Sequence, residues 1–510
     1  ITSAEAEAVT LPIAPDPIVI SYFAMPEPLI LSKLSGYADM ESHKRAEQAT
    51  GVRIKWREES YTDPKQKMNL MFSTGETEDL IWDVDVHAAG GAQKMLDEGL
   101  IIPLNKYIEL YAPNLKRILL EDPRVLAQIS TDDGRIFMFP EIRYDQVTRS
   151  NSGFMIRKDW LDRAGLDVPE TIEEWYTALK TFQEMDMNGN GKKDETFIGF
   201  GKDKPSQSIT NFSTAFGVIT EFYIDNGKVK FGDYEDAWKD YLAEMNKWYR
   251  EGLIDPEFST LNSTTFNSKM TNDTGSACYG SLSGNFGTFI RARMGSGYDL
   301  AAAPFVKAPD GKSYATVNAY AKLVPHGTSI SATNKYPIES VKWLDWHYSE
   351  EGNTNYNWGV EGETFTVVDG KKQFTSLITA NPDGLSIDEA IAKYAGGTLT
   401  QMPVINDVEV FRQVKTVLPQ QKNASDVWSS CDLSMIMPSL FFPEEEVQRN
   451  ANILSEVKTY CAEMFNKYIM GIEPLSSFEK YQERLKLMGI EEVLDSYQRA
   501  YDRYLEKYGK

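Results

Sequence analysis

The sequence predicts an α/β protein made of two successive alternating blocks, with extra helices at its C-terminus. Three observations carry that prediction. Apolar runs of strand length are interleaved with amphipathic stretches of helix length from residue 18 onward; the same alternation restarts at Ser152; and a helical period runs almost unbroken from Glu444 to Lys510.

Residues 1–17, ITSAEAEAVTLPIAPDP, are small, acidic and punctuated by proline, and read as a flexible, solvated tether. PIVISYFAM follows as a buried strand, then LSGYADMESHKRAEQATG as a helix ending at Gly51, and VRIKWREES as the next strand. A helix ending at Gly75, the strand LIWDVDV, the short helix GAQKMLDEG and the strand-like RIFMFPEI complete the first block. Such alternation implies a mostly parallel sheet with helices on its faces, and ligands at the carboxyl ends of the strands.

The second block opens with SGFMIRKDWLDRAG and continues through the strand FIGFG to YDLAAAPFV. Within it, Thr171 and Glu174 form a capping box, and Ile172, Trp175, Leu179 and Phe182 fall on one helix face, a stripe that reads as core. YPIESVKWLDWHYSEEG is an amphipathic helix entered through Asn334 and Pro337 and stopped by Gly352. Leu454, Val457, Cys461, Met464 and Tyr468 form the apolar seam of the C-terminal helices.

Composition narrows the function. Hydrophobic residues make up 42% and charged residues 25%, and no run of 18 apolar residues marks a membrane span. A formal charge of -22 repels phosphate backbones and anionic lipid alike, which excludes nucleic acid as a partner class. The three cysteines (Cys278, Cys431, Cys461) are too scattered for a disulfide framework and read as small buried hydrophobes. Four histidines leave little material for a transition-metal centre. With neither a basic n-region nor an apolar h-region, the N-terminus reads as the mature end of a secreted or lipid-anchored protein.

One stretch, DMNGNGKKDE, places oxygen-bearing side chains at alternate positions. From Asp186 as position one, Asn188 and Asn190 stand at three and five, Gly191 at six, Lys192 at seven and Asp194 at nine, with Glu195 next. A hard cation needs six to eight oxygens at short range, and a tightly curling loop can aim them inward. Phe197 occupies position twelve, where an EF-hand has its bidentate glutamate, and a strand follows in place of a second helix. A polar Asx turn is the alternative; three carboxylates in ten residues favour a structural Ca2+ that pins the loop.

The longer string GFMIRKDWLDRAGLDVPETIEEWYTALKTFQEMDMNGNGKKDETF resembles the extracellular solute-binding proteins of carbohydrate ABC importers. It is most similar to the calcium-containing alginate-oligosaccharide-binding type and its Gram-positive lipoprotein relatives. NLMFSTGETEDLI, EGLIIPLNKYIELYAPN, FYIDNGKVKF, WYREGLIDPE, NWGVEGETF and LKLMGIEEVLDSYQRAYDRY agree with it in the same order. The resemblance implies a two-lobe periplasmic-binding-protein-like fold of type II with the sugar in an inter-lobe cleft. It further implies Ca2+ on Asp186, Asn188, Asn190, Lys192, Asp194 and Glu195. Expected boundaries are 18–143 with 321–375 for the N-terminal lobe and 144–320 with 376–510 for the C-terminal lobe. The crossings fall near Arg143 to Arg149, near Val317 to Leu323 and after Phe374. The implied protein is an extracellular or periplasmic monomer that hands an oligosaccharide to ABC permease subunits, touching the membrane through a lipid anchor at most.

A sugar offers apolar C–H faces and a rim of hydroxyls, so its site needs aromatic plates and fixed polar groups. Among 24 Phe, 26 Tyr and 10 Trp, the loop-adjacent candidates are Trp358, ranked first, with Tyr22, Phe23, Phe286 and Trp428. Polar candidates are His87, Glu141, Arg143, Asn151, Ser283, Asn285, Glu361 and Asp407. Arg143 can clamp vicinal hydroxyls or a uronate carboxylate. Two other classes share these residues: a glycoside hydrolase using two of Glu141, Glu361 and Asp407, and a peptide-binding or sensory receptor on the same scaffold.

Overall fold

The alternation seen in the first block builds one five-stranded sheet in a computed structural model that describes residues 1–2, 4–199, 205–316, 320, 322–397 and 401–508. Its strand order is Val52–Glu58, Ile18–Ala24, Leu80–Trp82, Gly327–Ile330, Phe139–Pro140. Ile18–Ala24 runs parallel to both neighbours, while Gly327–Ile330 is antiparallel to both of its own. Helix Glu41–Thr50 lies against the sheet and ends at Gly51, whose φ of 74° lets the chain reverse where a Cβ would be strained.

This sheet belongs to a unit made of Ile1–Thr148, Lys322–Val414 and Glu506–Lys510. The expected boundary at 375 is therefore corrected to 414. Ile378, Ala390, Ile391, Ala395, Val410 and Val414 are buried with Trp358, Phe365 and Phe374 in one apolar cluster, which ties 376–414 to this unit. The described residues of 1–17 stay mostly exposed, as a solvated tether would, but the segment is held to its neighbours at particular points. Glu7 N donates to Leu110 O (2.8 Å), Ile13 N donates to Thr50 O (2.8 Å), and Glu7 pairs with Lys342 at 2.6 Å. Proline and acidic side chains suit a solvated tether, but they do not stop backbone amides from finding acceptors on a neighbouring surface.

The second unit comprises Arg149–Ala321 and Lys415–Leu505. Its sheet is mixed, in the order Leu300–Ala303, Ser152–Arg157, Gly275–Ser281, Thr196–Ile198, and only the last pair is parallel. The helix Ile172–Glu184 carries the predicted capping box and buries Trp175, Leu179 and Phe182. They share a core with Trp238, Tyr241 and the C-terminal residues Val457, Cys461, Met464 and Tyr468. Helices Glu444–Met470, Phe478–Leu487 and Ile490–Tyr508 supply the expected C-terminal addition. All three cysteines are buried and none is in a disulfide.

Two local expectations change. LIWDVDV is a strand only over Leu80–Trp82, because Asp83 takes φ 55° and turns the chain into the helical turn Val84–His87. Gly352 does not stop the helix Pro337–Trp346; it lies inside the next one, Glu350–Asn357, where a Cβ would come within 2.2 Å of Trp346 O. Phe200 and Gly201 of FIGFG, and 317–319 and 321 of the expected second crossing, lie outside the described residues.

Candidate functional site

The carboxyl ends of Ile18–Ala24, Val52–Glu58, Leu80–Trp82 and Phe139–Pro140 meet at one edge of the first sheet, because these four strands share a direction. Strand Gly327–Ile330 runs the other way, so His326, just before it, arrives at the same edge. Open α/β sheets place ligands at such an edge.

Polar side chains gather there. Asp83 accepts from Gly327 N at 3.1 Å and from the His326 ring at Nδ1, 2.7 Å away. With Nδ1 on the Asp83 carboxylate, a neutral His326 ring carries its proton at Nδ1 and leaves Nε2 as the acceptor, on a side chain that is 35% exposed. Trp82 stacks on the same imidazole at 5.7 Å and 25°. Burial pulls the His326 pKa down, but the hydrogen bond and charge of Asp83, helped by Glu141, outweigh it and leave the pKa above the usual histidine value. Glu141, buried, donates its N–H to His326 O at 2.9 Å and accepts from Arg143 Nε at 2.8 Å and from Asn406 Nδ2.

His87 ends the turn that Asp83 begins. Its side chain is buried at 6% exposure, and neither ring nitrogen has a partner. Burial lowers its pKa, with Asp83 opposing and His326 and Lys65 adding to the fall. Tyr61, exposed, meets the His87 ring edge-on at 6.2 Å.

Three of the sequence candidates, His87, Glu141 and Arg143, thus belong to one cluster. Asp83, His326 and Tyr61 complete it and were missed; the only signal was their position just past or just before a strand. Three aromatic candidates on the first unit or its strands are corrected. Tyr22 is core, stacked on Trp56 at 5.0 Å with its hydroxyl on Thr328 Oγ1 (2.6 Å) and Gln401 O (3.0 Å). Phe23 is fully buried. Trp358 is 1% exposed, packed on Phe374 at 4.7 Å, and donates Nε1–H to Asp407 Oδ2 at 2.8 Å. Asp407 is committed to that indole and to Glu409 N (2.9 Å). Glu361 is exposed in a separate groove of about 930 Å3 beside residues 6–11, so the three acids do not share a site.

In the second unit, Asn151, Ser283 and Asn285 share one loop region. Leu282 N donates to Asn151 O at 2.8 Å, and Asn285 Oδ1 accepts from Ser281 N at 2.9 Å and Ser281 Oγ at 3.0 Å. Ser283 O accepts from Thr288 Oγ1 at 3.2 Å. Phe286 and Trp428 are corrected to core: the rings meet edge-on at 5.8 Å, and Trp428 Nε1 donates to Phe154 O at 3.1 Å. Large aromatics next to loops bury more area by packing inward than by facing solvent.

The 186–195 loop curls as its spacing implies. Asp186, at φ 46°, accepts from Asn190 N at 3.0 Å and Gly191 N at 2.9 Å, and Asn190 Oδ1 accepts from Lys192 N at 2.8 Å. Asn188 and Asn190 donate to Asp194 at 2.8 and 3.0 Å. Glu195 is fully buried; Oε1 accepts from Asn188 N (3.2 Å), whereas Oε2 has no partner. Burial raises the Glu195 pKa, and Asp194 and Asp186 raise it further. An orphaned buried carboxylate oxygen facing two more carboxylates fits a divalent cation. Among the described residues no cluster of three or more His, Cys, Asp or Glu side chains is arranged to hold a metal, so an ion here needs amide and backbone oxygens as well.

Known proteins agree with this architecture. A fructooligosaccharide ABC transporter substrate-binding protein of Streptococcus pneumoniae, FusA, is 25% identical over 487 residues, covering 90% of this chain and 86% of its own. A solved EF-hand mutant of FusA with fructo-nystose has a TM-score of 0.71 and 22% identity, covering 96% and 99% of the two chains. Lipoprotein LipO of Bacillus subtilis is 28% identical over 378 residues, 72% of each chain. The alginate-binding protein AlgQ2, solved without calcium ion, has a TM-score of 0.69 at 24% identity, covering 98% and 100%. Residues 35–354, more than half the chain, match one family along their length. The chain belongs to the bacterial extracellular solute-binding proteins.

Proposed function

We propose that this protein captures an oligosaccharide outside the cell and delivers it to the permease of an ABC importer, breaking no bond. The observation that carries this is the polar cluster at the carboxyl edge of the first sheet, with the exposed Tyr61 ring beside it, in a chain of the solute-binding family. Hydroxyl rims need planar donors and acceptors held in place, and Asp83, Glu141, Arg143 and His326 hold one another. Closure of the protein on its sugar, which an importer's membrane subunits would read, is part of the proposal. So is attachment to the cell surface through a lipid, as the likeness to LipO suggests.

We propose also that Ca2+ occupies the 186–195 loop through Asp186, Asn188, Asn190, Asp194 and Glu195, with Lys192 giving its backbone carbonyl. The unpartnered Glu195 Oε2 supports it. The ion would neutralise the clustered charge and hold the turn; it would touch no sugar.

A thermal-shift screen with plant, algal and host-glycan oligosaccharides tests the function. Ligand at a hundredfold excess over its Kd adds about 2.7 kcal/mol to the folded state, an easily read rise in Tm. New reducing ends during incubation would instead establish a hydrolase.

A further inference from the structure

We propose that His326, held by Asp83, and His87 form a hydroxyl-recognition subsite for an uncharged sugar ring. The inference rests on the oligosaccharide reading above and says which residues and which ligand charge it involves. His326 is fixed twice, by the Asp83 hydrogen bond at 2.7 Å and by stacking on Trp82, yet its side chain remains 35% exposed. A neutral imidazole so held accepts a hydroxyl proton at Nε2, and a protonated one donates; a sugar hydroxyl suits either. His87, four residues past Asp83, adds two buried ring nitrogens with no partner. Leaving them so costs free energy that a ligand hydroxyl can recover.

Charge decides the ligand class. The buried or half-buried cations of the cluster are paired, Arg143 with Glu141 and His326 with Asp83. Asp85, two residues past Asp83 and exposed, adds a further acidic side chain nearby. Lys65 and Lys322 are exposed, where solvent screens them. Among the described residues, a uronate carboxylate would enter beside Asp83 and Glu141 with no desolvated cation there other than the already paired Arg143 and His326.

The test uses the full chain, its Asp83→Asn and His326→Gln variants, and four probes: kestose, maltotriose, lacto-N-tetraose and trigalacturonate. Calorimetry gives Kd across the pH range in which His326 titrates, where Asp83, Glu141, Arg143 and His87 face the ring. NMR follows the four imidazoles. The expected result is that a neutral probe binds and shifts the His326 resonance. His326→Gln should then weaken that probe at least about tenfold, and Asp83→Asn should lower the His326 titration midpoint and move the pH profile of Kd with it. Tight trigalacturonate binding overturns the charge assignment. A neutral probe binding His326→Gln as well as the parent overturns the subsite while leaving the function standing. No response to any probe refutes both proposals.

Discussion

Replacing Trp358 with alanine distinguishes a core indole from a sugar platform. The indole is 1% exposed, packed on Phe365 and Phe374, and hydrogen-bonded to Asp407. Removing such a side chain costs about 3–5 kcal/mol through lost transfer energy and the cavity left behind. Asp407 also loses a donor, which adds to the cost. In a unit of this size each kcal/mol lowers Tm by about 2–4 °C, so Trp358→Ala should melt about 6–20 °C earlier by scanning calorimetry. Trp358→Phe, which keeps a ring against Phe374, should recover part of that loss. Both variants should retain oligosaccharide affinity below their transitions. A Trp358→Ala protein with parental Tm and abolished binding would show that the indole serves the ligand and that its core placement is wrong.

Glu195→Gln keeps the shape of the buried side chain and removes its charge, so Ca2+ affinity should fall at least about tenfold by calorimetry, with sugar preference intact. Because the Glu195 pKa is raised in the ion-free fold, Ca2+ affinity should also drop as pH falls through that raised value, when a proton displaces the ion. Chelation should lower Tm; loss of sugar recognition without any fall in Tm would contradict a structural role. Burial pushes the Asp345 carboxyl up to about 7 although it accepts from Leu115 N at 2.8 Å and Asn114 Nδ2 at 2.8 Å. Its folded pKa exceeds its unfolded one, so its contribution is fully present below the unfolded value and is lost as pH rises toward about 7. Urea unfolding of Asp345→Asn should show a flatter pH dependence than the parent over that interval, and an unchanged slope would assign the effect elsewhere. A Cβ on Gly153 would meet the Trp428 ring at 2.4 Å, so Gly153→Ala should cost ~1–3 kcal/mol or more, read as a lowered denaturation midpoint.

Periodicity and glycine punctuation revealed the two sheets, the capped helix Ile172–Glu184 and the C-terminal helices, because these depend on local spacing. The calcium-type loop was legible for the same reason: its side chains lie within ten residues and hydrogen-bond one another. The first-unit cluster was half legible. Arg143 and His87 stand just past strand-like runs and Glu141 at the end of one, but His326 joins them through a strand that enters the sheet from far along the chain, which local pattern cannot show. Asp83 was hidden because an aspartate in an alternating apolar run looks like an outward-facing strand residue, and its left-handed turn leaves no mark in composition. Trp358 misled because an aromatic in a glycine-rich loop looks available for stacking, whereas the hairpin 365–374 that covers it is visible only in three dimensions.

The strand Gly327–Ile330 lies between Leu80–Trp82 and Phe139–Pro140, yet the ribosome makes it only after all of Arg149–Ala321. Until then, Leu80–Trp82 has an unpaired flank, open to mispairing with other extended chains. Long-range pairing of this kind is slow. That slowness leaves the first sheet incomplete, with its middle held open, until residues 327–330 arrive to close it.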